Sequence, residues 1–491
     1  MKTLSITFIV ICFSFTTLGQ NSFETVINSF KGEGLHYTFE TNIESFLSVG
    51  FSKTINSTQE PYSPLIVEID NNGELLGHHI LTKSDTSYFF YYGLTKPNDN
   101  YYFIGLMSKP GEIHNRTIIY VCETTPDMQL VWEKYYPMPN EVTKAILIHF
   151  LTLPDNSILF SGKADTLENY TNDFIFNGIL DLNGNLQDFN FYIDPYFAEY
   201  GVYSDFLYNF DSTAYYSIGN FTRGPYGIPV SFIEMDLDFN ITNYTEFFNG
   251  TYFGTPLTAK WLPNGNLIIA SRDNDYWSET EGLLVQIFDP DFNFVKDTFM
   301  IRPGMVYLPV FNGMDYTDPN NIWIATYNAM GGPTPNEVFY VQVFDSNMNL
   351  KGVQEFGGEK KLYRFYNLLA TSDGGCLITG QVPACDTCEN YNGYLFKTMP
   401  EDVVTQTQEH HSENQLSIDV YPNPFNEFIN IRSDEIDMSI QIFDFTGNLI
   451  IDSGIIIQNT KLNTIHLSEG LYFYQFKHKQ HVVKHGKLIK Q

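Results

Sequence analysis

Basic residues are scarce. Twenty-seven Lys and Arg stand against 57 Asp and Glu, a net charge of −30 over 491 residues. That sign argues against nucleic acid and anionic lipid as partners, because both need a basic footprint. Long hydrophobic runs are missing as well. Beyond an apolar stretch from Leu4 to Phe15, nothing approaches the ~18 residues of a spanning helix, so no transmembrane segment is expected. Short catalytic signatures are absent too: there is no His-Glu-x-x-His, no Gly-x-Ser-x-Gly elbow and no phosphate-binding glycine loop.

What is present begins with export. Lys2, the apolar stretch and a small-residue end at Gly19 have the layout of a signal peptide spanning 1–19. A lipoprotein signal would need a cysteine just beyond that stretch, whereas Cys12 sits inside it. The remaining chain is long enough for at least two domains. Aromatics make up 16% of it and charged residues only 17%, a mix suited to pleated, half-buried strands, so an all-β protein is expected.

From residue 20 to about 400 the chain repeats itself. A polar turn followed by a short apolar strand and a small residue recurs at 46–50, 101–105, 158–162, 215–219, 267–271, 322–326 and 376–380, spacings of 52 to 57 residues. A second phrase ends in an Asp-rich turn at Asp70, Asp181, Asp236, Asp289 and Asp345. Four strand-like runs per unit, seven times, predict a seven-bladed β-propeller. The segment from Val26 resembles a fourth strand, and the last unit stops after its third. The ring is therefore expected to close by pairing Val26 to Phe30 onto the final blade, which would bury two sheet edges. The likeness is to propellers in general. The Trp-Asp ends of WD40 repeats, kelch glycine pairs and the sialidase box are all absent.

Strand parity places long connections on one face of such a ring, at 53–63, 108–117, 163–173, 220–229, 272–282, 327–337 and 381–392. Loops on a rigid scaffold are the expected recognition surface. The densest polar and aromatic cluster there is Arg272, Asp273, Asp275, Tyr276 and Trp277, the candidate ligand-binding residues. Tyr62, Tyr170, Tyr226, Tyr327 and Tyr391 also fall in these loops, at the frequency that composition alone would give. Cys385 and Cys388 share the last loop and leave three readings open: a short-loop disulfide, free thiols or a metal site. Cys122 and Cys376 read as core residues. Asp289 and Asp70 begin fragments that resemble calcium loops, but both lie where a hairpin turn needs Asp, Asn and Gly, and no cofactor or metal is identified. His410 and His411 lie in a polar linker, 401–415.

The last segment, 416–491, reads as a small Ig-like β-sandwich. Tyr421, Pro422, Asn423 and Pro424 open it, Gly447 and Gly470 mark turns, Tyr472 follows, and Gly486 and Lys487 lead its last strand. These residues, in this order and spacing, resemble the type A C-terminal sorting domain of type IX secretion cargo from Bacteroidetes. The resemblance implies transit through the periplasm to an outer-membrane translocon, removal by a sortase-like peptidase, and a protein secreted or held at the outer cell surface. For the cargo two classes follow: a binding protein recognising glycan or protein through the long-loop face, or a hydrolase or lyase acting on polysaccharide or peptide at the channel mouth. Inward-facing carboxylates with His, Tyr or Arg would favour the enzyme.

Overall fold

The computed structural model describes residues 22–28, 32–42, 45–53, 62–81, 87–108, 117–139, 142–166, 174–192, 205–209, 213–219, 230–247, 254–275, 280–302, 306–309, 311–328, 338–357, 363–384, 391–404, 418–433, 438–444, 448–456, 460–478 and 481–490. The chain divides into two compact units, Met1–Gln406 and Thr407–Gln491.

Among the described residues the first unit is a propeller-like all-β array of seven antiparallel sheets. In chain order their first strands are Glu33–Glu40, Ser87–Thr95, Val142–Thr152, Asp205–Tyr208, Gly254–Trp261, a strand broken into Val306–Tyr307 and Met314–Asp315, and Arg364–Ala370. Each first strand touches the neighbouring sheets, and Glu33–Glu40 also touches the seventh. The seventh sheet takes its outer strand from the start of the chain: Phe23–Ile27 pairs with Tyr391–Thr398, Phe23 opposite Lys397 and Ile27 opposite Gly393. That strand begins three residues earlier than the sequence suggested and ends at Ile27, while 29–31 lie outside the described residues.

The Asp-led turns explain why the sheets fit side by side. In each, the Asp carboxylate accepts backbone N–H groups two and four residues on, as Asp289 does from Asp291 and Asn293. Asn293 Nδ2 donates to the same carboxylate, which holds Asp289 below the usual carboxylate range. The carboxylate is thus occupied by turn chemistry. The fourth turn residue has a positive φ: Phe239, Phe292 and Met348 in three of these turns, Gly73 and Gly184 in the other two, and Met128 in the corresponding turn of the second sheet, which Thr125 leads. Phe292 packs on Tyr216 and Phe232 of the preceding sheet. Where the residue is glycine, the preceding sheet supplies the ring instead. A Cβ at Gly184 would lie 2.4 Å from the Trp132 ring, and one at Gly73 would lie 2.4 Å from the Phe23 ring. The contact of the N-terminal strand with the first sheet thus repeats that of the second sheet with the third.

Cys122 and Cys376 are fully buried, as expected for core residues. The stretch read as linker starts as a short helix, Pro400–Val404, with Val403 packed into the core between the sixth and seventh sheets. Asp402 accepts from Ser22, so the helix is tied to the N-terminal strand. Among the described residues no helix is long and apolar enough to cross a membrane.

The second unit packs a three-stranded sheet (Ile418–Tyr421, Phe428–Ser433, Thr460–Asn463) and a four-stranded sheet (Leu449–Ile456, Met438–Asp444, Gly470–His478, His481–Lys490) around Phe425, Ile429, Ile440, Ile442, Tyr472, Phe476 and Leu488. Residues 464–467 form a turn, Leu467 donating to Thr464 and Thr464 to Glu427, just after the strand Thr460–Asn463.

Candidate functional sites

The first strands of five sheets carry a β-bulge, at His36, Tyr91, Ile148, Leu257 and Tyr366. A bulge re-aims a side chain out of the sheet. Four rings gather at this level. His36 stacks on Tyr91 at 5.0 Å and meets Tyr366 at 5.0 Å and Phe311 at 5.6 Å. Tyr91 also reaches Phe311 at 5.7 Å, a contact between the second and sixth sheets. Phe51, Tyr62 and Phe89 extend the cluster from His36 outward. Apart from buried His36 these rings are partly exposed. Phe51 is near the end of its strand, Tyr62 begins the next, and Arg364 begins the seventh sheet, so the cluster lies where the strands meet the long connections. Arg364 lies 5.0 Å over the Tyr391 ring at its edge. Burial lowers His36 to about 4, so the imidazole is neutral near pH 7, with Nδ1 donating to the Phe90 carbonyl.

One residue beyond each bulge, a second layer joins successive sheets. Tyr37 meets Tyr92 at 4.8 Å and Tyr92 stacks on Phe150 at 4.6 Å. His149 Nδ1 lies 3.2 Å from Asp205, whose other oxygen accepts from Ala259 N at 2.5 Å. Thr258 accepts from Gly313 N, Asn312 O from Leu368 N, and Asn367 from Thr38 N. Two residues beyond Thr258, Lys260 Nζ lies 2.8 Å from Asp315, which also accepts from Ala370 N at 2.9 Å. Burial opposes the Lys260 charge, but Asp315, with smaller help from Asp205, raises its pKa above the ordinary lysine value. Burial, then Tyr92 and the Asp315 charge, hold Tyr37 neutral far into the alkaline range. Burial lowers His149, outweighing Asp205. A carboxylate only accepts, so His149 carries its hydrogen on Nδ1.

The predicted ligand cluster is distributed differently. The strand Leu267–Asp275 runs through Arg272, Asp273 and Asp275, which pair with the strand Thr280–Phe288, so these three stand on a hairpin ladder where a loop was expected. Tyr276, Trp277, Tyr170, Tyr226, Cys385, Cys388, His410 and His411 lie outside the described residues, as do the connections 54–61, 109–116, 167–173, 220–229, 329–337 and 385–390. Tyr327 is buried against Phe365. The bulge residues were missed; the alternation of apolar and polar residues hides them, because a bulge inserts one residue without changing composition.

In the second unit the signature residues converge. Asn423 Oδ1 accepts from Ile489 N at 2.9 Å and its Nδ2 donates to Lys487 O at 3.0 Å, so the opening motif is fastened to the closing strand. Phe425 N donates to Ile489 O. Tyr472 donates to Ser468 O at 2.9 Å. A Cβ at Gly486 would lie 2.6 Å from the Tyr474 hydroxyl, and Gly470 has φ +148°. Tyr421 and Lys487 are exposed, and Gly447 lies outside the described residues.

No curated protein sequence matches the chain. Among solved structures, a Dyadobacter fermentans protein of unknown function aligns over 78% of this chain and 100% of its own, with 9% identity and a TM-score of 0.42. The WD40 domain of fission yeast SCAP aligns over 78% and 96%, with 9% identity and a TM-score of 0.34. Pyrococcus horikoshii acylaminoacyl peptidase aligns over 82% and 58%, with 9% identity and a TM-score of 0.38. Residues 419–491 match the family described as "Secretion system C-terminal sorting domain". The chain therefore ends in a type IX sorting domain and is cargo for export to the cell surface or beyond it.

Proposed function

We propose that the first unit is a seven-bladed propeller closed by its N-terminal strand, and that it binds glycan through the long-connection end of its channel. Closure is supported by the layer of contacts running through all seven sheets and back from Asn367 to Thr38, and by the repeated ring-on-glycine fit at Gly73 and Gly184. The observation that carries the binding reading is the aromatic floor of Tyr91, Phe311 and Tyr366 around His36. Rigid, partly exposed rings offer flat apolar faces to the C–H faces of a sugar, and convergent polar groups fix its orientation. The signal peptide, a translocon and a sortase-like peptidase as partners, and the hairpin residues around Arg272 as an outer contact belong to the same reading.

The enzyme reading has one observation of its own, the His149–Asp205 pair beside Lys260 and Asp315. Both carboxylates, however, accept backbone N–H groups of the next sheet, so they serve as fasteners between sheets, and binding is the better-supported function. A glycan and polysaccharide screen on the full-length chain, with reducing-end release assayed on every hit, tests this. Binding without release is expected; release, or silence against all saccharides, would refute it.

A further inference from the structure

The face that the third sheet turns to the fourth is polar in one stretch. His149 stands opposite Ser161, and Ser161 opposite Asn177, so the three share one side of the sheet. Their neighbours two residues away, Leu151, Leu159, Ile175 and Ile179, pack against Phe206, Tyr215, Ile233 and Met235 of the fourth sheet. Ser217 lies directly opposite Phe206 and Ile233 on that facing surface. Within this one seam His149 Nε2, both amide atoms of Asn177 and Ser217 Oγ meet no hydrogen-bonding group among the described residues. The residues are 6%, 0% and 2% exposed. Leaving one such group unmet carries its full desolvation cost, and native proteins rarely gather several in one place.

The four atoms define what could meet them. His149 gives its hydrogen to Asp205 and offers Nε2 only as an acceptor. Asn177 offers one acceptor and two N–H donors, and Ser217 a hydroxyl. A cation is disfavoured, because Lys163 is close enough to depress His149 protonation. An anion is disfavoured by the bare Nε2 lone pair and Asn177 Oδ1. A group that both donates and accepts from one atom suits all four. We propose that this seam is a binding site for hydroxyl groups, filled either by buried water or by the hydroxyls of a small polyol.

The test uses the full-length chain purified without polyols. A high-resolution crystal structure is expected to show compact density bonded to His149 Nε2, Asn177 and Ser217. Continuous density that appears only after a glycerol soak would identify the polyol as the source. Asn177→Leu and the milder Ser217→Ala are each expected to lower the unfolding midpoint, because each removes groups that hold the guest. Density absent in both crystals, or a midpoint that stays or rises in both variants, would overturn the proposal, since removing unmet polar groups from a dry seam stabilises.

Discussion

The seam between the seventh and first sheets and the seam between the third and fourth are both polar, yet they are finished differently. In the former, Thr38 Oγ1 lies 2.6 Å from both Ser48 Oγ and Thr379 Oγ1, and Thr38 N donates to Asn367. Lys397, with no exposed side-chain surface, pairs with Asp373 and lies 5.3 Å over the Phe46 ring of the first sheet. In the latter, His149, Asn177 and Ser217 keep four buried polar atoms that no described residue meets. The seam between the seventh and first sheets is held mainly by direct hydrogen bonds, though Gln381 Oε1 beside Gly34 is unmet among the described residues, whereas the seam between the third and fourth gathers four such atoms and accommodates a guest. Direct bonds fix one register; a guest-filled seam tolerates adjustment.

The largest expected effect is at the seam between the seventh and first sheets. Asp373→Ala leaves Lys397 buried and unpaired, and is expected to lower stability by about 3–4 kcal/mol; one-third exposure of Asp373 places it toward the low end for a broken buried pair. Denaturant unfolding followed by circular dichroism measures it. A loss below that of Ser217→Ala would dissolve the contrast between the seams.

Acid compares one buried histidine from each side. His36 is lowered from 6.5 to about 4 by burial. Below pH 6.5 the unfolded chain binds a proton that the folded chain refuses until about pH 4, so stability falls across that window, by about 3 kcal/mol in total, and is unaffected above it. His36→Phe is expected to flatten most of the fall between pH 6.5 and 4 in unfolding midpoints; His149→Phe, whose histidine shifts in the same direction, flattens it further. A profile unchanged in His36→Phe would mean the ring is not held neutral.

The smallest effect sharpens the polar contrast. Thr38→Val keeps shape but deprives Ser48 and Thr379 of a partner, and is expected to cost about 1–2 kcal/mol. Ser217→Ala is expected to cost less, because a mobile guest re-pairs. Equal losses in the two urea titrations would place the seams in one class.

Much of this was legible in the sequence. The recurring phrase ending at Gly50, Gly105, Gly162, Gly219 and Gly380 marks second strands because the apolar run and its small end repeat at one period, and all seven copies are paired in the register that reading needs. The N-terminal strand was found in the right pairing but three residues late, since Phe23 to Val26 carries no turn signal before it. The sorting signature was legible because Asn423, Gly470, Tyr472 and Gly486 each do something a single residue type does best. The aromatic floor was not. Tyr91 and Tyr366 read as ordinary strand residues, and only the bulge, a pairing irregularity between sheets' first and second strands, turns them together with His36. Loop composition drew attention instead to Tyr276 and Trp277.

The direct test of the central claim is therefore a titration of whichever saccharide scores in the screen against the full-length wild type, Tyr91→Leu and Trp277→Ala, followed by calorimetry. Loss of one stacking ring is worth about 1.5 kcal/mol, roughly tenfold in Kd. The floor reading predicts that loss in Tyr91→Leu, with Trp277→Ala binding more nearly like wild type. Wild-type affinity in Tyr91→Leu together with lost binding in Trp277→Ala would contradict it and move the site to the loops.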